Sequence, residues 1–272
     1  MLDRRTFVCS SAVGLARTGA AQSSDVPQSI RDLRPMTSGV KPITSEERQG
    51  RIEKARQLMR RHKLDAIFLE SGSSLFYFTG VRSSANGSFL GWTLPVRGEP
   101  GWIAPASAEK QAREAAGAGA DLRVWREDEG QEIARLLRDR GAGAGRIGIE
   151  ERVRFSVFDG IRKALPKSEF ESADPVTAGL RMIKSPSEIA LMQRANDITI
   201  AAYRAALTTL REGITQFDLR GAVTAAYQAL GVHGDVMVSF GKYTAFPHGS
   251  IQPQKLQEGD VVLLDDGCSV DG

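Results

Sequence analysis

From Thr44 onward, apolar residues fall into two alternating rhythms. Short apolar runs bounded by Gly, Asp or Pro predict strands at Ala66 to Glu70, Leu75 to Phe78, Gly101 to Ala104, Leu122 to Trp125 and Arg146 to Glu150. Apolar positions three and four apart predict helices over Ala108 to Ala116, Gln131 to Arg138 and Val157 to Ala164. Thr44-Ser45-Glu46-Glu47 reads as a capping box that opens an earlier helix through Ile52, Ala55 and Met59, because hydroxyl and carboxylate can satisfy exposed amides reciprocally. Alternating helices and strands define an α/β domain over residues 44–173, closed by loops bearing Pro166 and Pro175.

A second region, residues 174–272, begins with a sharper signal. Ser185-Pro186-Ser187-Glu188 supplies an N-cap hydroxyl, a proline at the first helical position and a glutamate at the third. Ile189, Met192, Tyr203, Leu207 and Leu210 line one stripe of the helix that follows, with Leu191, Ala195, Ile198 and Ala202 beside it, and Gly213 is expected to end it. Thr215 with Asp218 starts another helix, lined by Leu219, Val223, Ala226 and Leu230. Val236 to Phe240 reads as a strand leading toward Phe246-Pro247-His248-Gly249. The polar turn Gln257-Glu258-Gly259-Asp260, with Asp260 capping, introduces a last buried strand, Val261 to Leu264, whose exit carries Asp265-Asp266-Gly267. Ionised carboxylates at a buried strand end require a partner or a cation, so a metal ligand is the natural reading of Asp265.

Three stretches together resemble the pita-bread metallopeptidases, a family of Xaa-Pro aminopeptidases, prolidases and relatives that includes methionine aminopeptidase and the metal-free creatinase. They are Leu180 to Ile189 at the domain junction, Pro247-His248-Gly249, and Gly259 to Gly267. Tyr77-Phe78-Thr79-Gly80 is similar to a pattern in the non-catalytic N-terminal domain of the prolidase branch. The resemblance implies a creatinase/prolidase-type α/β N-terminal domain followed by the first part of an α+β pita-bread domain. It implies His248 as the substrate-contacting catalytic residue and Asp265 as the first metal ligand. Asp266 stands where many relatives have a small residue, and alignment on Gly267 favours Asp265 over it. The family's second Asp, its ligand His and two Glu are expected beyond Gly272, so the sequence reads as the front part of a longer enzyme and the chain alone as inactive. The intact protein is then expected to hold two divalent ions, Mn²⁺, Co²⁺ or Zn²⁺, and to hydrolyse Xaa-Pro bonds in peptides. A creatinase-like amidinohydrolase and a non-catalytic binding protein on the same fold are the alternatives; retention of Asp265 argues against the first.

Composition narrows this picture. With 41% hydrophobic and 25% charged residues, the 272-residue chain can bury the cores of two domains. A net charge of +3 leaves no electrostatic footprint for nucleic acid. The expected partner is a peptide, and a homodimer is compatible with the resemblance. Arg4-Arg5-Thr6-Phe7-Val8 and the small-residue run after it resemble a twin-arginine export signal over residues 1–25, which implies a periplasmic destination without stable membrane insertion; residues 26–43 read as a linker. Cys9 lies in that leader and Cys268 beside the last strand, where it reads as a small buried hydrophobe rather than a disulfide partner. Gly143-Ala144-Gly145-Arg146-Ile147-Gly148 fits a dinucleotide fingerprint in spacing but has the helix before it and the strand after, so it reads as a turn. His62 is expected on the surface, and His233 in an exposed turn or lining the cleft.

Overall fold

The computed structural model describes residues 26–82 and 90–272, and these described residues fall into two compact units: those within 39–196 with 270–272, and 26–38 with 197–269. The proposed export signal, including Cys9, lies outside the described residues. In chain order the first elements are α1 (Gln28–Arg31), α2 (Ser45–His62), β1 (Ala66–Glu70), α3 (Ser73–Thr79), β2 (Gly91–Pro95) and β3 (Gly101–Pro105). There follow α4 (Glu109–Ala116), β4 (Leu122–Trp125), α5 (Glu129–Asp139), β5 (Arg146–Ile149), α6 (Phe155–Ala164), β6 (Glu169–Ser172) and α7 (Asp174–Met182). The last are α8 (Pro186–Ala206), α9 (Gln216–Ala229), β7 (Gly234–Phe240) and β8 (Val262–Cys268).

In the first unit six strands form one sheet in the order β4-β3-β2-β1-β5-β6. β1 and β3 each pair antiparallel with β2, whereas β3–β4, β1–β5 and β5–β6 are parallel. Side chains alternate across a strand, so β1 feeds two cores: Ile67 and Leu69 pack with Met59, Phe78 and Trp92 on one face, and Phe68 with Ile133, Ile147 and Ile161 on the other. Covering both faces accounts for a central strand buried at every position. The helices α5 and α6 cross at Gly130 and Gly160, where a Cβ on Gly130 would lie 2.6 Å from the Gly160 backbone. Beside this crossing Arg154 donates to Glu70 at 2.9 Å and 2.8 Å and to Glu129 at 3.1 Å. Burial outweighs that cation and raises the Glu129 carboxyl to about 6.

Several local expectations are corrected here. Leu75 to Phe78 is not a strand but the middle of α3, held between Gly72 and a left-handed Gly80, with Ser74, Leu75 and Phe78 turned inward at helical spacing. Pro175 does not sit in a loop; it occupies the first turn of α7, where its missing N–H costs nothing. The strands β2 and β6 were not anticipated, since Gly91 and Pro95 interrupt one and Glu169 and Glu171 make the other polar. Thr44 caps α2 through the Glu47 amide at 3.2 Å, yet the Glu47 carboxylate turns instead to Arg51 and to the Ser185 hydroxyl, each at 2.8 Å. Arg51 stacks 4.0 Å over the Tyr77 ring and donates to the Tyr77 carbonyl at 2.8 Å, which gives the Tyr77-Phe78-Thr79-Gly80 pattern a packing role.

The second unit has α9 packed on a two-stranded antiparallel ribbon of β7 and β8. Residues 28–38, read as part of a linker, join this unit: Ile30 is 2% exposed, and the Met36 amide donates to the Leu230 carbonyl at 2.9 Å. The helix α8 ends at Ala206 in a 3-10 turn, Leu207–Thr209, rather than running to Gly213. Its inward residues are Ile198 and Ala202, expected on the apolar face, with Ala205 and Ala206, whereas Ile189, Met192 and Leu207 of the expected stripe are exposed. Unlike the box expected at Thr44, the caps of Ser185 with Glu188 and of Thr215 with Asp218 form reciprocally.

Candidate active site

Two residues of the ribbon that lie directly opposite one another share a face. The register pairs Met237 with Asp265 and Val236 with Asp266, so the adjacent acids point to opposite sides. One side faces helices: Gly234 is so close to Tyr227 that a Cβ there would lie 2.4 Å from the ring. Val236 and Val238 are buried on that side, and Asp266 turns toward it. The other side carries Asp235, Met237, Ser239 and Asp265. The strand thus continues through both acids, correcting the expectation that they mark its exit, because pairing extends as far as Gly234 with Cys268.

The segment bearing His248 folds over the Met237 side. Beyond β7 the chain makes a 3-10 turn, Gly241–Ala245, and the Gly249 amide then donates to the Phe246 carbonyl at 3.0 Å. Gly249 has φ +69°, and a Cβ there would lie 2.8 Å from Met237 Sδ. Only glycine suits both the left-handed backbone and that close approach. The loop is fastened by two buried glutamines that sequence reasoning missed. Gln216 donates to the Gln252 carbonyl at 3.0 Å and accepts from the Gln254 amide at 2.8 Å, while Gln254 accepts from the Phe240 amide at 2.7 Å. Nothing local marks them, since both look like ordinary polar loop residues until the chain folds back on itself.

A cavity of about 400 Å³ opens beside this loop, lined by His248, Met237, Phe217 and Ile251, with Arg220 and Asp235 paired at 2.7 Å on its wall. It is a partly open surface depression that mixes apolar walls with a few polar groups. His248 is exposed in it, and Asp265, also exposed, is on the same face of the ribbon but is not part of the lining. His233 is exposed outside the cavity, His62 is exposed in the last turn of α2, and Asp260 closes its turn by accepting from the Gln257 amide at 3.0 Å. Asp266 accepts from the Tyr203 hydroxyl through one oxygen and from the Tyr227 hydroxyl through the other at 2.5 Å. Burial, then this carboxylate, pushes both phenols well above the usual tyrosine range. Burial also pushes up the Cys268 thiol, which is partly buried and 3.8 Å from the Thr199 hydroxyl.

An α/β unit with a mixed six-stranded sheet, followed by helices on an antiparallel ribbon that carries a His loop and an Asp on one face, defines a creatinase-type domain joined to part of a pita-bread domain. Residues 51–183 match the creatinase/prolidase N-terminal domain and residues 190–272 match metallopeptidase family M24, and the chain belongs to this family of pita-bread peptidases. An uncharacterised peptidase of Schizosaccharomyces pombe is 29% identical over 252 residues, which cover 88% of this chain and 55% of that protein. The Xaa-Pro dipeptidase of Pyrococcus furiosus is 24% identical over 222 residues, covering 80% of this chain and 60% of its own. Among solved structures, a dipeptidase from Pyrococcus horikoshii matches with TM-score 0.70 at 25% identity, over 81% of this chain and 62% of that one. A prolidase from Thermococcus sibiricus matches in fold with TM-score 0.74 at 22% identity, over 84% of this chain and 63% of that one. The chain therefore spans less than two thirds of the length of these relatives. No helix among the described residues is long and apolar enough to cross a membrane.

Proposed function

We propose that the intact protein is a metal-dependent peptidase that hydrolyses the Xaa-Pro bond at the N-terminus of peptides or in dipeptides. The observation that carries this reading is the shared face: the His248 loop and the Asp265 carboxylate lie on one side of the β7–β8 ribbon, in a chain that matches the peptidase family through both domains. The described residues do not make a metal site by themselves, since no group of three or more His, Cys, Asp or Glu side chains among them can hold an ion. Asp265 offers one exposed carboxylate, a hard oxygen donor that suits Mn²⁺, Co²⁺ or Zn²⁺ once the ligands expected beyond Gly272 are added. Two such ions would supply a Lewis acid and a water of lowered pKa. Within this chain, Asp265 would hold one ion and His248 would donate a hydrogen bond to the substrate carbonyl as negative charge develops on its oxygen, which is where such a donor is most effective. Phe217, Met237 and Ile251 offer apolar walls to a side chain or a proline ring.

The test is hydrolysis of Ala-Pro and of Xaa-Pro-bearing peptides by the full-length protein. Activity should vanish with a chelator and return with Mn²⁺. Metal-independent turnover of creatine would favour the amidinohydrolase, and absence of any turnover in metal-loaded protein would favour a binding protein. Export is a separate part of the proposal, resting on Arg4-Arg5 and the small residues that follow. In a bacterium with a twin-arginine system, Arg4→Lys together with Arg5→Lys should hold the precursor in the cytoplasm; unchanged export of the double variant would overturn that assignment.

A further inference from the structure

Two consecutive carboxylates in one strand create an ambiguity that the backbone alone does not resolve. A slip of one residue in a strand exchanges its two faces, and β8 carries Asp265 and Asp266 side by side. What separates them is the set of groups each meets. On the helix side, Tyr203 from α8 and Tyr227 from α9 bring their hydroxyls to different oxygens of the Asp266 carboxylate. Tyr227 is fully buried, and its hydroxyl also lies 3.1 Å from that of Thr199. Hydrogen bonds to an ionised acceptor are the strong ones, and two of them from two different helices fix both the depth and the rotation of the acid. Facing Gly234 leaves room for the Tyr227 ring, whose position any larger residue would take. On the Met237 side the Arg220 guanidinium is already paired with Asp235 at 2.7 Å.

We propose that Asp266 is a positioning residue: gripped by Tyr203 and Tyr227, it locks β8 in the phase that presents Asp265 on the face covered by the His248 loop. This rests on the reading of Asp265 as a metal ligand given above, and it adds a function to an acid that the family pattern does not use. The pair of acids then works as a selector, in which the tyrosines take one carboxylate and leave the other for the cation.

The experiment uses the full-length protein. Mn²⁺ affinity is measured by calorimetric titration, well below the melting temperature, for the wild type, Asp266→Leu, and Tyr203→Phe combined with Tyr227→Phe. The double Phe variant keeps both rings and serves if Asp266→Leu fails to fold. Circular dichroism checks that each variant is folded. Both variants should bind Mn²⁺ at least about tenfold more weakly, whereas Asp266→Asn, which retains an acceptor oxygen, should recover part of the loss. A purely structural role would lower the melting temperature and leave the affinity of the folded protein unchanged, and that result would overturn the proposal. A second readout needs no metal. A cysteine placed by Asp265→Cys is labelled with a maleimide and the site located by mass spectrometry; labelling should slow several-fold when the two Phe substitutions are added. If the wild type binds no Mn²⁺, the ligand reading of Asp265 has failed, and the labelling alone decides whether the tyrosine grip sets the strand's phase: an unchanged rate would overturn it.

Discussion

Asp265→Ala in the intact protein is expected to strip the metal, whereas His248→Ala is expected to keep the metal and lose about a hundredfold or more in kcat. The two residues share a face of the ribbon but are held differently. Asp265 is fixed by the strand itself, opposite Met237, so its carboxylate can serve as a permanent ligand. His248 is carried on a loop pinned by Gln216 and Gln254, and it is exposed to a cavity in which a substrate would lie. A donor that strengthens its hydrogen bond only as the carbonyl becomes an oxyanion affects kcat more than KM. Metal content measured by atomic absorption, alongside kcat and KM for Ala-Pro, separates the roles. If His248→Ala loses its metal and Asp265→Ala retains it, the two assignments are reversed.

The largest stability effect should come from Trp92→Ala. Trp92 is 1% exposed, stacks on Phe78 with ring centroids 5.7 Å apart and meets Trp102 at 6.2 Å. Removing a buried indole sacrifices its transfer free energy and leaves a cavity that the surrounding strands cannot close, at a cost of about 3–5 kcal/mol. In a unit of this size that corresponds to a fall in melting temperature of roughly 10 °C. Ile67→Val, in the same core but lacking only one methylene, should cost about 1 kcal/mol. Chemical denaturation of both variants checks the contrast, and a Trp92→Ala loss no larger than that of Ile67→Val would show that this aromatic cluster is not central to the fold.

Much of the first unit was legible because its signals are short in range. The strands β1, β3, β4 and β5 are apolar runs with turn residues at both ends, and the helices between them carry their own periodicity. The misreadings share a cause. Leu75 to Phe78 has the composition of a strand, yet Gly72, Gly80 and the contacts awaiting Leu75 and Phe78 in the core make it helical. For β6 the hydrogen bonds come from β5, and polar residues suffice on an edge that is not buried. Ile189 and Met192 follow helical spacing but stay exposed, since periodicity predicts a face and not what covers it.

The sequence by itself determined where α8 and α9 begin, because a capping box joins residues three apart and its partners are fixed before any tertiary contact forms. It also carries the resemblance on which His248 and Asp265 are proposed as site residues. Only the tertiary structure decided which of two neighbouring acids faces the His248 loop, that two distant glutamines fasten that loop, and that residues 28–38 pack beside Leu230. Those outcomes depend on partners that are far apart in the chain, such as Asp266 with Tyr203 and Tyr227 on two helices. No local pattern encodes such pairs, because the interaction that selects them exists only once the strand has been laid against both helices.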